Sequence, residues 1–127
     1  MGKLANKKVL AVLEDLLFTV KINDVAKRLG LQVEFVKSET DAVEKAKQQP
    51  LLAILDLNSR TVNAVDLIRK LKGDAETKSV PLIGYVSHVQ GDLKQAAQEA
   101  GCNLVMARSA FSQNLPTLLR RHSGAVI

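Results

Sequence analysis

Leu51-Leu52-Ala53-Ile54-Leu55-Asp56-Leu57-Asn58 is the stretch that decides the fold. Five apolar residues in succession behind Pro50 leave no polar face, the pattern of a short strand covered on both sides in a parallel sheet. The run ends on a carboxylate. In open α/β sheets ligands and chemistry sit in the crevice beyond the carboxyl ends of the central strands, so Asp56 stands where a working side chain would stand. An Asp that turns the chain out of its strand is the other reading at this point.

Two further runs have the same form. Upstream, Val9-Leu10-Ala11-Val12-Leu13 ends at Glu14-Asp15; downstream, Pro81 leads into Leu82-Ile83-Gly84-Tyr85-Val86, which ends at Ser87-His88. Between these runs the period changes. Phe18, Ile22, Val25, Ala26 and Leu29 recur at three- and four-residue spacings and predict an amphipathic helix from about 16 to 29, stopped by Gly30. Val33, Phe35 and Val36 alternate with Gln32 and Glu34, as in a strand nearer the sheet edge. A helix from about 40 to 48 follows, with Ser38 or Thr40 as its cap and Pro50 beyond it.

After the central run, Asn63 with Asp66 opens a helix that buries Val65, Ile68 and Leu71 and closes at Gly73. Residues 74–80 read as a polar connector. Asp92 and Gln95 have capping-box spacing for a helix reaching Ala100. A fifth strand, about 103 to 107, ends on Arg108. Residues 109–113 read as a loop, and Leu115, Leu118 and Leu119 as a short last helix with Pro116 in its first turn.

Strand and helix thus alternate five times, which calls for a doubly wound α/β fold: a five-stranded parallel sheet with right-handed crossovers and helices on both faces. The flavodoxin-like order 2-1-3-4-5 fits this count and sets strands one and three side by side. That order brings Glu14 and Asp15 next to Asp56, with Arg108 at the same rim.

Composition narrows the class. The 127 residues suit one domain, with a core from about 8 to 119, and 46% apolar content suffices to fold it. Aromatics make up only 3% and Trp is absent, so an aliphatic core is expected, and the composition argues against stacking platforms for single-stranded nucleic acid. The lone Cys102 rules out an internal disulfide and a Cys-rich metal site and fits a reducing compartment. No apolar run approaches the roughly 18 residues of a membrane span and no cleavable signal pattern opens the chain, so a cytoplasmic protein without membrane partners is expected. The net charge is +5, and no acid follows Glu99, while Arg108, Arg120 and Arg121 do. Without a nucleic-acid module beside it, this basic region reads as a solvated face, and nucleic acid is not the expected partner.

The strand-end Asp56 with Asn58 two positions on, Val80-Pro81-Leu82-Ile83 opening strand four, Gln95-Ala96-Ala97-Gln98-Glu99-Ala100-Gly101 closing helix four and a cation at Arg108 together resemble the receiver domain of bacterial response regulators. The resemblance runs from about Lys8 to Leu119. It implies a phosphoryl group accepted on Asp56 from a histidine kinase, with Mg²⁺ held by strand-one acids. Glu14, Asp15, Asp56 and the backbone carbonyl of Asn58 are the metal ligands it leaves. Mg²⁺ takes one or two carboxylates plus waters, and phosphoryl transfer asks for alignment and charge neutralisation.

The working positions depart from that family's pattern. The first strand-one acid falls on Leu13, and the strand-four hydroxyl falls on Val86, with Ser87 one step along and so on the other face. The family lysine is Arg108, which offers a planar fork in place of a compact ammonium, and the proline after it is Ser109. The aromatic switch position is Val105, and the proline in the loop after Asp56 is Arg60.

Two functional expectations follow. The first is a degenerate receiver that signals by protein contact, in which Arg108 pairs with Asp56 and the face of helix four, strand five and helix five meets a partner. The second is a working phosphoacceptor with a weakened Mg²⁺ site. An unrelated enzyme that uses Asp56 and His88 ranks below both, because no phosphate loop, nucleophile elbow or His-Cys cluster is present. The stretch carries no output domain, so it is expected to dock to another protein or to belong to a longer one.

Overall fold

Each apolar run becomes a strand: β1 (Lys8–Val12), β2 (Gln32–Val36), β3 (Leu52–Asp56), β4 (Leu82–Val86) and β5 (Leu104–Ala107). The computed structural model describes residues 7–87 and 91–123; His88 and both ends of the chain lie outside the described residues. The strands are parallel, as the alternation requires, and lie in the expected order β2-β1-β3-β4-β5. Val12 lies opposite Leu55, Asp56 opposite Tyr85, and Val86 opposite Ala107, so the carboxyl ends of the four inner and neighbouring strands finish along one rim.

The helices are α1 (Leu16–Arg28), α2 (Glu39–Ala46), α3 (Ala64–Gly73), α4 (Gly91–Ala100) and α5 (Arg108–Ser123). Alternate strand residues feed two cores, because successive side chains of a strand point to opposite faces. Val9, Ala11, Ile54, Ile83 and Tyr85 pack against Phe18, Ile22 and Ala26 of α1 and Phe111, Leu115 and Leu119 of α5. Leu10, Val12, Ala53, Leu55 and Leu82 pack against Ala42, Ala46, Leu67, Ile68, Leu71 and Ala97 on the other side. Each fully buried Leu or Ile contributes about 1.5–3 kcal/mol, so β3, covered on both faces, anchors Asp56 firmly at its end.

Local chemistry sets the helix starts. Ser38 and Asn63 cap α2 and α3 by accepting from the backbone N–H groups of Asp41 and Asp66, at 3.1 Å in each case. Three expectations are corrected. The last helix is neither short nor preceded by a loop: α5 starts at Arg108, directly off β5, and holds Pro116 in its interior. Phe111, Leu115, Leu118 and Leu119 lie at helical spacing and are all buried, which outweighs the hydrogen bond that Pro116 denies the Ser112 carbonyl. In α4 the helix already includes Gly91, which puts Asp92 inside the first turn and not at the cap. The 74–80 connector is also more than a polar spacer: Thr77 is fully buried and its hydroxyl donates to the Leu71 carbonyl at 2.7 Å.

One glycine positions the site. A Cβ on Gly84 of β4 would come within 3.0 Å of the Leu57 side chain. Its absence lets Leu57, the residue after Asp56, tuck into the core and fix the exit of β3. Among the described residues no helix is long and apolar enough to cross a membrane.

Candidate functional site at the carboxyl rim

The sheet delivers Glu14 and Asp15 just beyond β1, Asp56 as the last residue of β3, Ser87 after β4 and Arg108 after β5. What each side chain then does depends on its nearest partner.

Asp15 is the N-cap of α1, where an exposed backbone N–H invites a carboxylate. One of its oxygens accepts from the Phe18 N–H at 3.2 Å, and the other accepts from Nη2 of Arg108. The Arg108 guanidinium also lies 4.1 Å from the centroid of the Phe18 ring, a cation–π contact. Phe18 in turn packs on Tyr85 and Tyr85 stacks on Phe111, with centroids 5.0 and 5.1 Å apart. Three of the chain's four aromatic residues thus form a single buttress under Arg108. Burial works to raise the Asp15 carboxyl, but the Phe18 N–H and Arg108 outweigh it and hold the group below its ordinary range.

The pair expected between Arg108 and Asp56 is therefore not the one formed; the guanidinium closes on Asp15. The reason is local. The cap position places the Asp15 carboxylate beside Phe18, so charge and ring face offer Arg108 two contacts at one point.

Asp56 is half-buried, and one of its oxygens accepts from the Asn58 N–H at 2.9 Å. Burial pushes its carboxyl above the ordinary value. The Asn58 N–H opposes that rise, Asp15 and Glu14 add to it, and Arg108 opposes it. The two aspartates at one rim are thus driven in opposite directions. Glu14 accepts from the Thr61 hydroxyl at 2.6 Å, which ties the loop after β3 back to β1. The Asn58 side-chain carbonyl accepts from the Ser87 N–H at 2.7 Å and ties the same loop to β4. Val86 is buried and Ser87 exposed, as their one-step offset along the strand requires. Ser87 lines an open cleft with Phe18, Arg108, Ser109 and Ser112.

Mg²⁺ takes one or two carboxylates plus waters, and the carboxylates of this rim already have protein partners. Among the described residues no three His, Cys, Asp or Glu side chains converge as metal ligands. Both Asp15 oxygens are engaged, and Glu14 is drawn to Thr61.

Phe18, Thr61 and Tyr85 are site residues that the sequence reading does not single out. For Phe18 a signal exists: three residues beyond a capping Asp, its ring is one helical turn from the carboxylate. Thr61 and Tyr85 carry no such signal, since their roles depend on contacts far apart in the chain.

No protein-family model matches the chain, and no curated protein matches it by sequence. Solved structures do. A chemotaxis response regulator of Vibrio cholerae matches with TM-score 0.78 at 18% identity, over 93% of this chain and 99% of its own. The receiver domain of a Pseudomonas aeruginosa sensor histidine kinase, with a magnesium ion coordinated in its active-site cleft, matches with TM-score 0.78 at 23% identity, over 94% and 99%. A phosphorylated cyanobacterial phytochrome response regulator matches with TM-score 0.81 at 16% identity, over 97% and 98%. The fold is that of response-regulator receiver domains, and at these identities the likeness is one of fold.

Proposed function

We propose that this chain is a receiver-fold signalling module that acts by binding another protein and keeps one fixed conformation without phosphorylation. The observation that carries this reading is the clamp of Arg108 between Asp15 and the Phe18 ring. In a phosphoacceptor, a strand-one acid holds the metal and a strand-five cation meets the incoming phosphoryl oxygens; phosphoryl transfer depends on that charge being available and aligned. Here the acid and the cation neutralise each other. A guanidinium in a charge-assisted hydrogen bond, with its face on an aromatic ring, has two contacts to give up before it can meet a phosphoryl group.

No turnover chemistry is assigned to the module; its contribution is a surface held in place by the rim contacts Glu14–Thr61, Asn58–Ser87 and Asp15–Arg108.

A second reading keeps one observation in its favour. Asp56 ends β3 at the sheet's switch point, and of its two oxygens only one has a hydrogen bond among the described residues. In that reading a histidine kinase supplies the phosphoryl group, and Mg²⁺ binds once Arg108 releases Asp15.

Incubation with acetyl phosphate and Mg²⁺, followed by intact-mass measurement, separates the two. The first reading predicts no phosphoryl adduct. An adduct on the wild-type chain that disappears in Asp56→Asn establishes the second in its place.

A further inference from the structure

We infer that Lys72, in the last turn of α3, is a modification site: its amine takes an acyl group from a small thioester, and the acylation loosens the connector between α3 and β4. The site lies at the entry of β4, the opposite end of that strand from Ser87 and the carboxyl rim.

Lys45 and Lys70 set the contrast. Each faces a carboxylate, Glu34 at 2.8 Å and Glu39, and each is held more firmly as the ammonium by that partner. Lys72 has no ion-pair partner among the described residues. Its Nζ donates instead to two backbone carbonyls, of Lys78 at 3.2 Å and of Val80 at 3.0 Å. Its stem lies against Gly101, where a Cβ would come within 2.9 Å of the Lys72 Cγ, so the glycine leaves room for it.

Two acceptors match a neutral amine. An uncharged amine has two N–H groups, one for each carbonyl, and its lone pair is then directed away from both; the ammonium brings a third N–H that neither takes. Lys72 is only half-buried, so the lone pair is reached from solvent. Burial draws the amine below the ordinary lysine value, against the opposing influence of Cys102. The Cys102 thiol is itself pushed up by burial and stays uncharged. Other charged groups of the neighbouring elements are occupied elsewhere: Glu76 pairs with Lys47 at 3.9 Å, Asp74 accepts from the Glu76 N–H at 2.9 Å, and Glu99 accepts from Gln95 at 3.0 Å. A desolvated lysine without a counter-ion is a nucleophilic one.

The step balances with the thioester alone. The Nζ lone pair bonds to the thioester carbonyl carbon, the C–S bond breaks with its electron pair on sulfur, and the proton lost from nitrogen passes to the thiolate. The product amide is neutral and keeps one N–H, so it serves only one of the two carbonyls. An aldehyde would leave an imine, which serves neither. The carbonyls belong to a connector otherwise tied by Thr77 to Leu71 and by Ser79 and Glu76 to Gln49, and Val80 leads directly into Pro81 and β4. Release of one carbonyl is therefore felt at the start of that strand.

The test is limited acetylation of the whole chain with the acetyl thioester of N-acetylcysteamine, mapped by peptide mass spectrometry over a range of pH. At neutral pH Lys72 is expected to react at least about fivefold faster than the exposed Lys21, Lys27 and Lys94. Its rate is expected to level off with rising pH while theirs still climb. A smaller ratio, or a rate that climbs in parallel with theirs, overturns the proposal. In the chain acetylated at Lys72, the backbone carbonyl-carbon resonances of Lys78 and Val80 are expected to move; if they stay in place, the loosening is refuted. The reagent carries no phosphoryl group and neither readout involves Asp56, so the phosphorylation assay stands or fails separately.

Discussion

Arg108 reaches across the rim to Asp15, and the carboxylate it holds is the one that caps α1. One hydrogen-bonded pair thereby fastens the first residue of α5 to the start of α1, over a sheet edge that also carries Asp56. Loss of this pair is felt by both helices and by the charge balance of Asp56.

The cap and the ion pair can be separated by substitution. Asp15→Asn retains a capping oxygen and removes the charge, and is expected to cost up to about 1 kcal/mol, since the pair is partly solvent-screened. Asp15→Ala removes both and is expected to cost about 2 kcal/mol. Urea unfolding of the two variants, with Arg108→Ala alone and in combination, measures the coupling; if Asp15→Asn and Asp15→Ala are equally destabilising, the cap contributes nothing.

Asp56→Asn is expected to stabilise the fold at neutral pH by on the order of 1 kcal/mol. Its carboxyl is raised in the folded state, so the ionised group opposes folding and the penalty is relieved as pH falls through the folded value. The advantage of Asp56→Asn should therefore shrink as pH falls from that raised value towards about 3.9, the ordinary aspartate value. Asp15 has the opposite sign. Its folded value is lowered, so its contribution is complete above the ordinary aspartate value and is lost as pH falls through the lowered one. Thermal unfolding across this range, compared among wild type, Asp56→Asn and Asp15→Asn, checks both signs.

Tyr85 buries a hydroxyl with no hydrogen-bond partner among the described residues, and burial pushes its phenol far above the usual tyrosine range. Tyr85→Phe leaves the stack on Phe111 and the contact with Phe18 in place, and is expected to be neutral or to stabilise by about 1 kcal/mol. A clear drop in melting temperature would show that the hydroxyl is satisfied in solution.

Gly84→Ala places a methyl group within 3.0 Å of Leu57 and is expected to destabilise by about 1–3 kcal/mol, as overpacking does. The displaced Leu57 should also move the Asn58 amide that donates to Asp56, so the Asn58 amide resonance is the local readout.

The sheet was legible because its signals are local. The run before Asp56 has no polar face, α1 keeps its period from Phe18 to Leu29, and Pro50 and Gly30 punctuate them. The strand ends, and with them the placing of Glu14, Asp15, Asp56 and Arg108 at one rim, follow from that alternation. The start of α5 was not legible, because Pro116 and the Ser-rich stretch after Arg108 read locally as a loop, and only burial of Phe111 and Leu115 against β4 and α1 overrides them. The choice of Asp15 over Asp56 by Arg108 was hidden for a related reason. It turns on a cap, a ring face and a guanidinium contributed by residues 15, 18 and 108, and no spacing in the chain encodes that meeting.

The central claim is that the acid and the cation of this rim are spent on each other. The most direct measurement is a pH titration of the Asp15 and Asp56 side-chain carboxyl carbons by NMR, repeated in Mg²⁺. The account predicts Asp15 titrating below the ordinary aspartate range, Asp56 above it, and neither curve moved by the metal. If Mg²⁺ lowers Asp56 and shifts Asp15 with it, the rim is a metal site and the account is wrong.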